Sequence, residues 1–414
     1  MSHSEIIVVG GGQAAAQAIA SLRQYGNDQA ISLVGEEPIL PYQRPPLSKA
    51  YMKGDFAEER LFLKPTAWYT DQNVTCVLGK RVIAIDRVTK TVTLCDDTSL
   101  SYGTLILSTG SRPRPLPIPG AEDPHVFDLR SLGDVKAIKP HMKAGQRLVI
   151  IGAGYIGLEA AAVARAMGLQ VTVLERADRV LARVTGAVMS DFFHREHERQ
   201  GVTIQTGAQV RALESDGDGT VSVHVDGGAA ITADLVLAGI GIIPNDQIAV
   251  DCGLECADGI CVDADGMTSD PAIFAAGDCT VRPLWPYGRV GRLESVHNAI
   301  EQGKCVAAKI MDQPRPKLDV PWFWSDQFDL KLQIAGLSDG FDAHVVRGTP
   351  ADHQFSVFYF AGARLIAADA INAAPDYMSA KMMIASGAAP APALLADPAV
   401  SIKDIAKNAI AASA

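Results

Sequence analysis

Short runs of mainly apolar residues, rich in Val and Ile, recur through most of the chain. They occupy residues 6–9, 31–34, 105–107, 147–151, 171–174, 235–240 and 273–276. Runs of this kind predict strands that are buried on both faces of a parallel sheet. Stretches with apolar residues at helical spacing follow several of them, as at Ala15, Ala18, Ile19 and Leu22. The alternation of the two patterns predicts an α/β fold.

The pattern changes from about residue 320 onward. Between residues 328 and 334, apolar residues alternate with polar ones, which is typical of an antiparallel strand with one solvated face. Residues 354–371 have the pattern of a hairpin, and a helical stretch follows Pro375. The last part of the chain therefore predicts a small α+β domain.

The first apolar run leads into a glycine turn and a helical pattern. Gly10, Gly12 and Ala15 form G-x-G-x-x-A, the fingerprint with which a strand–turn–helix unit binds a dinucleotide. Gly10 permits the tight turn, Gly12 lets backbone N–H groups approach a pyrophosphate, and Ala15 is small enough for the helix to pack on the strand. Glu36 ends the next predicted strand, 26 residues after Gly10, where a carboxylate can accept the hydroxyls of an adenosine ribose.

The same arrangement occurs again 142 residues further along. Gly152, Gly154 and Gly157 form G-x-G-x-x-G, and Glu175 ends the strand that follows. A single copy of the fingerprint can be a plain packing turn, but two complete units predict two dinucleotide sites in one chain.

Two further segments carry charged residues beside predicted strand ends. Residues 41–49 have three prolines within six positions and predict an extended loop that carries Arg44 and Lys49. The loop is either a plain surface connection or part of a cofactor site, and its position just after Glu36 favours the cofactor site. Asp278 follows another predicted strand, at the sheet edge where ligands of α/β proteins bind.

Composition narrows the classes of function. The 414 residues suffice for two or three domains, 48% of them are hydrophobic, and the net charge is −10. These values argue against disorder and against non-specific binding of nucleic acid. The sequence shows no signal peptide and no apolar run long enough to span a membrane. We therefore expect a cytoplasmic protein with neither a membrane nor a nucleic acid as partner.

The seven cysteines form no motif. There is no C-x-x-C, and residues 36–50 contain no cysteine, so a disulfide reductase or a peroxidase that needs a thiolate is disfavoured. His194 and His197 share a helix face and could bind a metal, but the charged residues around them favour a solvated face. We therefore predict no metal site. His297, in the late helical stretch, is compatible with a cofactor contact or with plain packing.

Taken together, these segments resemble the FAD-dependent, NADH-using ferredoxin reductases of the putidaredoxin-reductase type. These enzymes serve bacterial oxygenases and are related to apoptosis-inducing factor. The resemblance covers essentially the whole chain. Besides both fingerprints, it rests on the segments PYQRPPLSK (41–49), GIGIIPN (239–245), TSDPAIFAAGD (268–278), RLESVHNA (292–299) and PWFWSDQ (321–327).

The resemblance implies a domain organisation. Two Rossmann-like dinucleotide-binding domains are expected, the second inserted in the first, followed by the small α+β C-terminal domain. The implied boundaries are residues 1–115 and 247–320 for the FAD-binding domain, 116–246 for the NAD-binding domain and 321–414 for the C-terminal interface domain.

The resemblance also implies which residues contact the cofactors. At FAD it places Gly12, Ala15, Glu36, Arg44, Lys49 and, on the ribityl chain, Asp278; at NADH it places Gly152, Gly154, Gly157 and Glu175. Further implied contacts are Gly10, Thr109, Gly110, Arg130, Ile156, Arg183, Gly241, Ser295, Val296 and, near the isoalloxazine, Trp324. Lys49 and Glu159 would form an ion pair between the two domains where nicotinamide meets flavin, and they are the implied catalytic residues.

The function implied is hydride transfer from NADH to FAD, followed by release of single electrons to a [2Fe–2S] ferredoxin that serves a P450 or a Rieske dioxygenase. The alternative is an NADH-binding flavoprotein whose redox state controls docking to a partner. A monomer and a homodimer are both compatible with the sequence. The carboxylate of Glu175 predicts a preference for NADH over NADPH, because it would repel a 2′-phosphate.

Docking of a ferredoxin raises an electrostatic difficulty. Ferredoxins of this kind are usually acidic, and this chain is acidic as well, so docking requires a local basic patch. The candidate residues for that patch are Lys53, Arg60, Lys64, Arg289, Arg292 and Lys331.

Overall fold

The structure, a computed structural model, describes residues 2–413, with side chains from residue 5 onward. As far as residue 113 the elements are β1 (Ser2–Val9), α1 (Gln13–Gln24), β2 (Ile31–Gly35), α2 (Ala50–Lys53), α3 (Thr66–Asp71), β3 (Val74–Leu78), β4 (Val82–Asp86), β5 (Thr91–Leu94), β6 (Ser99–Leu107) and β7 (Ser111–Pro113).

The middle of the chain alternates strands and helices. Its elements are β8 (Val126–Asp128), α4 (Leu132–Ile138), β9 (Arg147–Ile151), α5 (Tyr155–Ala166), β10 (Gln170–Glu175), α6 (Ala187–Arg199), β11 (Thr203–Thr206), β12 (Val210–Ser215), β13 (Val221–Val225), β14 (Ile231–Ala233), β15 (Leu235–Ala238), β16 (Ile242–Pro244) and α7 (Gln247–Asp251).

The remaining elements are β17 (Ile260–Cys261), β18 (Ile273–Ala275), β19 (Thr280–Leu284), β20 (Arg289–Gly291), α8 (Val296–Ile310), β21 (Trp322–Gln327), β22 (Leu330–Gly336), β23 (Ala343–Thr349), β24 (Gln354–Ala361), β25 (Arg364–Ile371), α9 (Ala374–Ser386), α10 (Pro392–Ala396) and α11 (Ile402–Ser413). Short 3-10 helices lie at Pro45–Ser48, Glu58–Leu61, Lys139–His141 and Pro350–Asp352.

Contacts within the chain define two compact units. The first unit comprises residues 1–43, 58–112 and 242–319, and the second unit comprises residues 44–57, 113–241 and 320–414.

The first unit is built on a sheet with the strand order β3-β2-β1-β6-β5-β4, and β18 pairs with β6. Its β1, β2, β3, β6 and β18 are parallel, whereas β4 and β5 are antiparallel additions. Ile6 and Val8 pack in the core formed with α1 and α8, and Ile7 and Val9 belong to the core on the opposite face. Both faces of β1 are thus buried, which explains its uninterrupted apolar run.

The second unit contains a parallel sheet and two antiparallel ones. The parallel sheet has the order β11-β10-β9-β15-β8, and β12, β13 and β14 form a small antiparallel sheet. The C-terminal part is an antiparallel sheet of order β21-β22-β25-β24-β23, with α9 following its last strand. The predicted hairpin is present as β24 and β25, and the predicted helix after it as α9.

The α/β class, with Rossmann-type sheets and a C-terminal α+β part, is confirmed. One local prediction was wrong, because residues 41–49 are not an extended loop throughout. Pro45 and Pro46 begin the 3-10 helix Pro45–Ser48, since proline fits the first turn of a helix, where an N–H has no partner. The contacts of residues 44–57 also place this segment in the second compact unit, whereas the expected boundaries placed it in the FAD-binding domain.

Among residues 2–413, no helix combines the length and the apolarity that crossing a bilayer requires.

Candidate functional site

The turn after β1 forms a glycine-lined cradle at the start of α1. Gly10 has φ +109°, and a Cβ atom there would lie 2.1 Å from the carbonyl oxygen of Ser108, so only glycine fits. Gly12 caps α1 in an extended conformation without a side-chain hydrogen bond, and a Cβ atom at Gly11 or Gly12 would meet no heavy atom within 4 Å. There is therefore room beside the N-terminus of α1, where the first N–H groups of a helix have no intrahelical partner, and a pyrophosphate fits such a terminus.

Two acidic residues lie beyond the carboxyl ends of two parallel strands, β2 and β18, of the same sheet. Glu36 is exposed just past the end of β2. Asp278 is half-buried after β18, and Ser111 donates a hydrogen bond of 3.1 Å to its carboxylate. The backbone N–H of Gly277 donates to the side chain of Gln302 in α8 at 2.8 Å, which ties the turn before Asp278 to that helix.

The other predicted FAD contacts of the first unit lie in turns and at the start of α8. Thr109 donates its hydroxyl proton to the carbonyl of Asn245 at 2.6 Å, and Asn245 donates back to the carbonyl of Thr109 at 2.9 Å. Gly110 has φ +65°. Ser295 caps α8 by accepting from the N–H of Asn298 at 3.1 Å, and Val296 is the first residue of this helix.

The second fingerprint repeats the geometry of the first. Gly152 has φ +107°, and a Cβ atom there would lie 2.4 Å from the carbonyl oxygen of Gly239. A Cβ atom at Gly157 would lie 2.2 Å from the carbonyl oxygen of Gly152, whereas one at Gly154 would meet nothing within 4 Å. Ile156 is 39% exposed in the first turn of α5. This terminus also offers free N–H groups to a pyrophosphate.

Charged side chains lie beside the second cradle. The carboxylate of Glu175 accepts from the N–H of Ala153 at 2.7 Å and from the N–H of Ala177 at 2.8 Å. Each oxygen keeps a second lone pair for a ribose hydroxyl. The guanidinium of Arg183 lies against Gly241, where a Cβ atom would be 3.2 Å from it, so the glycine gives the arginine room.

The predicted pair of Lys49 and Glu159 is present in the second unit. Lys49 Nζ lies 2.7 Å from Glu159 Oε2, and the Glu159 carboxylate also accepts from Ser48 at 2.6 Å and, through Oε1, from Ser325 at 2.6 Å. Glu159 is 3% exposed. The expected ion pair is therefore present, and both of its residues belong to the second compact unit, because residues 44–57 pack with that unit.

Three predicted residues of the second unit remain. Arg44 and Arg130 contact each other, and Trp324 belongs to an aromatic cluster. Arg44 donates to the backbone carbonyl of Arg130 at 2.8 Å. Trp324 on β21 is half-buried, with its ring centroid 5.6 Å from that of Trp322. Phe323 packs on Tyr155, the first residue of α5, at 4.7 Å between centroids.

The interpretation of residues 194–197 as a solvated helix face was wrong for two of them. His197 is fully buried and Glu196 is 4% exposed, because this side of α6 contacts Phe328 and His353, which lie in turns between strands of the C-terminal sheet. Burial by a segment more than a hundred residues away leaves no local signal in a stretch rich in charge.

One group of potential metal ligands involves the same helix. Glu196, Asp329 and His353 each offer an atom within 4.8 Å of the others. Both carboxylate oxygens of Glu196, however, accept from Arg199 at 2.6–2.7 Å, and this ion pair compensates its charge. The group is therefore explained as a salt-bridge cluster.

Burial disfavours the thiolate form of three of the cysteines. Burial raises the pKa of Cys256 and of Cys305 to about 11 and also raises the pKa of the Cys279 thiol. A thiolate is the reactive form of cysteine, so these residues offer no route to dithiol chemistry.

Comparison with known proteins agrees with the two cradles. Residues 4–303 match the family described as pyridine nucleotide-disulphide oxidoreductase, and residues 322–406 match the family described as reductase C-terminal. The chain is 43% identical to rhodocoxin reductase of Rhodococcus erythropolis, with 92% of this chain and 89% of that protein covered. It is 40% identical to putidaredoxin reductase of Pseudomonas putida, with 98% and 97% covered.

A solved structure gives the same result for the fold. The reductase in the crystal structure of the covalent putidaredoxin reductase–putidaredoxin complex superposes with a TM-score of 0.96 at 40% identity, and 99% of each chain is covered. The chain therefore belongs to the pyridine nucleotide-disulphide oxidoreductase family, as a ferredoxin reductase of the putidaredoxin-reductase type.

Proposed function

We propose that the protein is an NADH-dependent FAD flavoprotein that delivers electrons to a [2Fe–2S] ferredoxin serving an oxygenase, either a P450 or a Rieske dioxygenase. The observation that carries this proposal is the presence of two dinucleotide cradles together with the buried Lys49–Glu159 pair. FAD, when bound, accepts two electrons from NADH and returns them one at a time to a one-electron carrier.

The residues of the first unit are proposed to hold FAD. The α1 terminus behind Gly12 binds the pyrophosphate, Glu36 the adenosine ribose and Asp278 the ribityl chain. Further contacts are assigned to Gly10, Ala15, Thr109, Gly110, Ser295 and Val296. The FAD-binding domain is proposed to comprise residues 1–115 and 247–320. Arg44, Lys49, Arg130 and Trp324 are proposed as additional contacts of FAD.

The second cradle is proposed to hold NADH. The α5 terminus behind Gly154 binds its pyrophosphate, and Glu175 accepts a hydrogen bond from the ribose 2′-hydroxyl. Ile156, Gly157, Arg183 and Gly241 line the rest of the site within residues 116–246, and residues 321–414 form the interface domain. We place the protein in the cytoplasm, where NADH is available and where cysteines stay reduced.

Lys49 and Glu159 are proposed to act in the hydride transfer step. Their pairing fixes a positive and a negative group at 2.7 Å in a largely water-excluded position. Charges fixed in advance in such a position stabilise charge movement without reorganisation. Ser48 and Ser325 hold the carboxylate of the pair in place.

The proposal is tested by stopped-flow spectroscopy of the FAD-loaded protein, mixed first with NADH and then with an acidic [2Fe–2S] ferredoxin of the same organism. We expect rapid loss of flavin absorbance with NADH and its recovery as the ferredoxin is reduced. Fast reaction with NADH but no electron transfer to any ferredoxin would favour the redox-controlled docking function instead. Failure to bind flavin after reconstitution with FAD would refute both functions.

A further inference from the structure

The strand segment PWFWSDQ supplies two buried polar side chains. Ser325 and Gln327 are two positions apart on β21 and therefore share a face, and they are 0% and 1% exposed. Gln327 Nε2 lies 3.1 Å from Ser325 Oγ, and His197 Nε2 on α6 lies 2.8 Å from Gln327 Oε1. With the contact from Ser325 Oγ to Glu159 Oε1 at 2.6 Å, these side chains form one continuous chain of hydrogen bonds.

Elementary chemistry gives the direction of each hydrogen bond. The carboxylate of Glu159 can only accept, so Ser325 donates its hydroxyl proton to it. The oxygen of Ser325 then accepts from the amide NH₂ of Gln327, which turns the amide carbonyl toward His197. Since a carbonyl only accepts, His197 carries its proton on Nε2. Every donor in the chain therefore points toward Glu159.

His197 is suited to this fixed role. Burial lowers the pKa of its imidazole to about 4, so the ring is neutral near pH 7. Its Nδ1 atom is buried without a hydrogen-bond partner among the described residues, and the ring packs edge-on against Phe328 at 5.0 Å between centroids. A ring held in this way keeps one tautomer and one orientation.

We propose that Ser325, Gln327 and His197 are positioning residues that orient the Glu159 carboxylate toward Lys49. Glu159 Oε2 accepts from Lys49 and Ser48, and Oε1 accepts from Ser325. Because a carboxylate is planar, holding Oε1 fixes the direction of Oε2 and hence the geometry of the ion pair. The inference deepens the proposed function and rests on the role assigned there to Glu159.

The first test measures hydride transfer in the FAD-loaded protein. Gln327→Met keeps the size of the side chain and removes both amide groups, so the limiting rate of flavin reduction by NADH should fall about fivefold to tenfold, with the Kd for NADH nearly unchanged. Ser325→Ala should behave in the same way, and Ser325→Thr, which restores the hydroxyl, should recover most of the rate. In a Glu159→Gln background, Gln327→Met should have no further effect, because no carboxylate is left to orient.

The second test does not depend on activity. A crystal structure of the Gln327→Met protein should show the carboxylate of Glu159 rotated and the contact between Lys49 Nζ and Oε2 lengthened from 2.7 Å to more than about 4 Å, beyond hydrogen-bond range. Nitrogen NMR of labelled histidine should show His197 protonated on Nε2 in the unsubstituted protein. Protonation on Nδ1 would overturn the deduced direction of the chain.

Ser356→Ala is the matched control. Ser356 is also a strand serine with 0% exposure, and it donates at 2.9 Å to a carboxylate, that of Asp376, which the function does not use. An equal loss of rate in Ser356→Ala, or an unchanged rate and ion pair in both Gln327→Met and Ser325→Ala, would overturn the proposal. If Glu159→Gln alone leaves the rate unchanged, the assigned role of Glu159 fails, which is a separate result. If Gln327→Met does not fold, Ser325→Ala carries the same prediction.

Discussion

The Lys49–Glu159 pair joins two residues of very different exposure, since 18% of the lysine side chain is accessible but only 4% of the glutamate side chain. Removing the lysine leaves a buried carboxylate without its counter-charge, which typically costs about 3–5 kcal/mol. We expect Lys49→Ala to slow flavin reduction by NADH at least tenfold and to lower the Tm, while FAD stays bound. Stopped-flow absorbance and the stoichiometry of released flavin measure these effects.

Lys53→Ala is the control for this substitution. Lys53 lies in the same segment, but it is exposed and pairs with exposed Asp55 at 2.8 Å, and such pairs contribute about 0–1 kcal/mol. Its removal should leave the rate of flavin reduction unchanged. Wild-type kinetics in Lys49→Ala would show that the pair has no part in hydride transfer.

A second buried carboxylate predicts how stability depends on pH. Asp369 on β25 is 1% exposed and accepts from Tyr359 at 2.7 Å and from Thr185. Burial raises its pKa from 3.8 to about 6, so the folded state favours the protonated form. Its contribution to stability is complete below about pH 4 and is lost as the pH rises through 6. A shift of about 2 units corresponds to on the order of 3 kcal/mol.

Asp369→Asn isolates this contribution. His197 acts in the opposite direction, because its pKa is lowered from 6.5 to about 4, so its contribution is complete above pH 6.5 and is lost as the pH falls through 4. His197 contributes equally to both proteins, so its effect cancels in the difference in unfolding free energy between wild type and Asp369→Asn. We expect the wild type to lose stability relative to the variant between pH 4.5 and pH 7 in urea titrations. A difference independent of pH contradicts the shifted pKa.

The residues that sequence reasoning missed share one property. His197, Ser325 and Gln327 act through burial and long-range contacts, whereas the sequence around His197 shows only a charged stretch. Gly10 and Gly152, in contrast, were predictable because a turn that excludes a Cβ atom is a local constraint. The Lys49–Glu159 pair came from the family resemblance, since no local pattern relates residues 110 positions apart.

At the scale of elements, α1 and α8 approach closely at a glycine. A Cβ atom at Gly303 would lie 2.9 Å from the carbonyl oxygen of Ala14 and 3.0 Å from the nitrogen of Ala18, both backbone atoms of α1. Gly303→Ala should therefore push the helices apart and cost about 1–3 kcal/mol, although alanine favours helices. Because α1 carries the first cradle, the Kd of the apoprotein for FAD should rise as well.

Gly133→Ala supplies the comparison within another helix. Gly133 is exposed in α4, and a Cβ atom there would be 3.5 Å from the hydroxyl of Ser131, an ordinary contact. This change should be neutral or stabilise by up to about 1 kcal/mol. Urea unfolding and FAD titration of both variants separate helix propensity from close packing. Equal stability of the two variants would contradict the packing argument.

The sequence predicted those elements that local residue patterns determine, and it missed features that depend on distant contacts. The strand of residues 6–9 has an apolar pattern that matches its burial on both faces. The helix of residues 296–310 forms where its apolar stripe predicted it, but its burial extends beyond that stripe to polar residues such as Asn298 and Gln302. Residues 45–48 were expected to be extended because prolines exclude a regular helix interior, but two prolines at the start of a turn are compatible with a 3-10 helix. The packing of residues 44–57 with the second unit depends on contacts that no local pattern encodes.

At the scale of the whole molecule, net charge opposes the encounter with an acidic ferredoxin. The chain carries −10, and some of the expected basic patch is neutralised. Arg292 contacts Asp258 at 3.2 Å and also pairs with Glu294, and Lys53 pairs with Asp55. Lys64 instead lies 5.2 Å from the ring centroid of Trp68, and an aromatic ring attracts a cation without cancelling its charge. We therefore expect the steering of an acidic ferredoxin to depend on cations such as Lys64.

Salt dependence tests this account. Between about 20 mM and 500 mM salt the Debye length falls from about 20 Å to about 4 Å, so the attraction between a basic patch and an acidic ferredoxin should weaken. The assay is the NADH-driven reduction of cytochrome c through the ferredoxin, at subsaturating ferredoxin. We expect its rate to fall about tenfold over this range of salt. Lys64→Ala should lower the low-salt rate and flatten this dependence. A rate that rises with salt would mean that repulsion by the net charge governs the encounter and that no basic patch steers it.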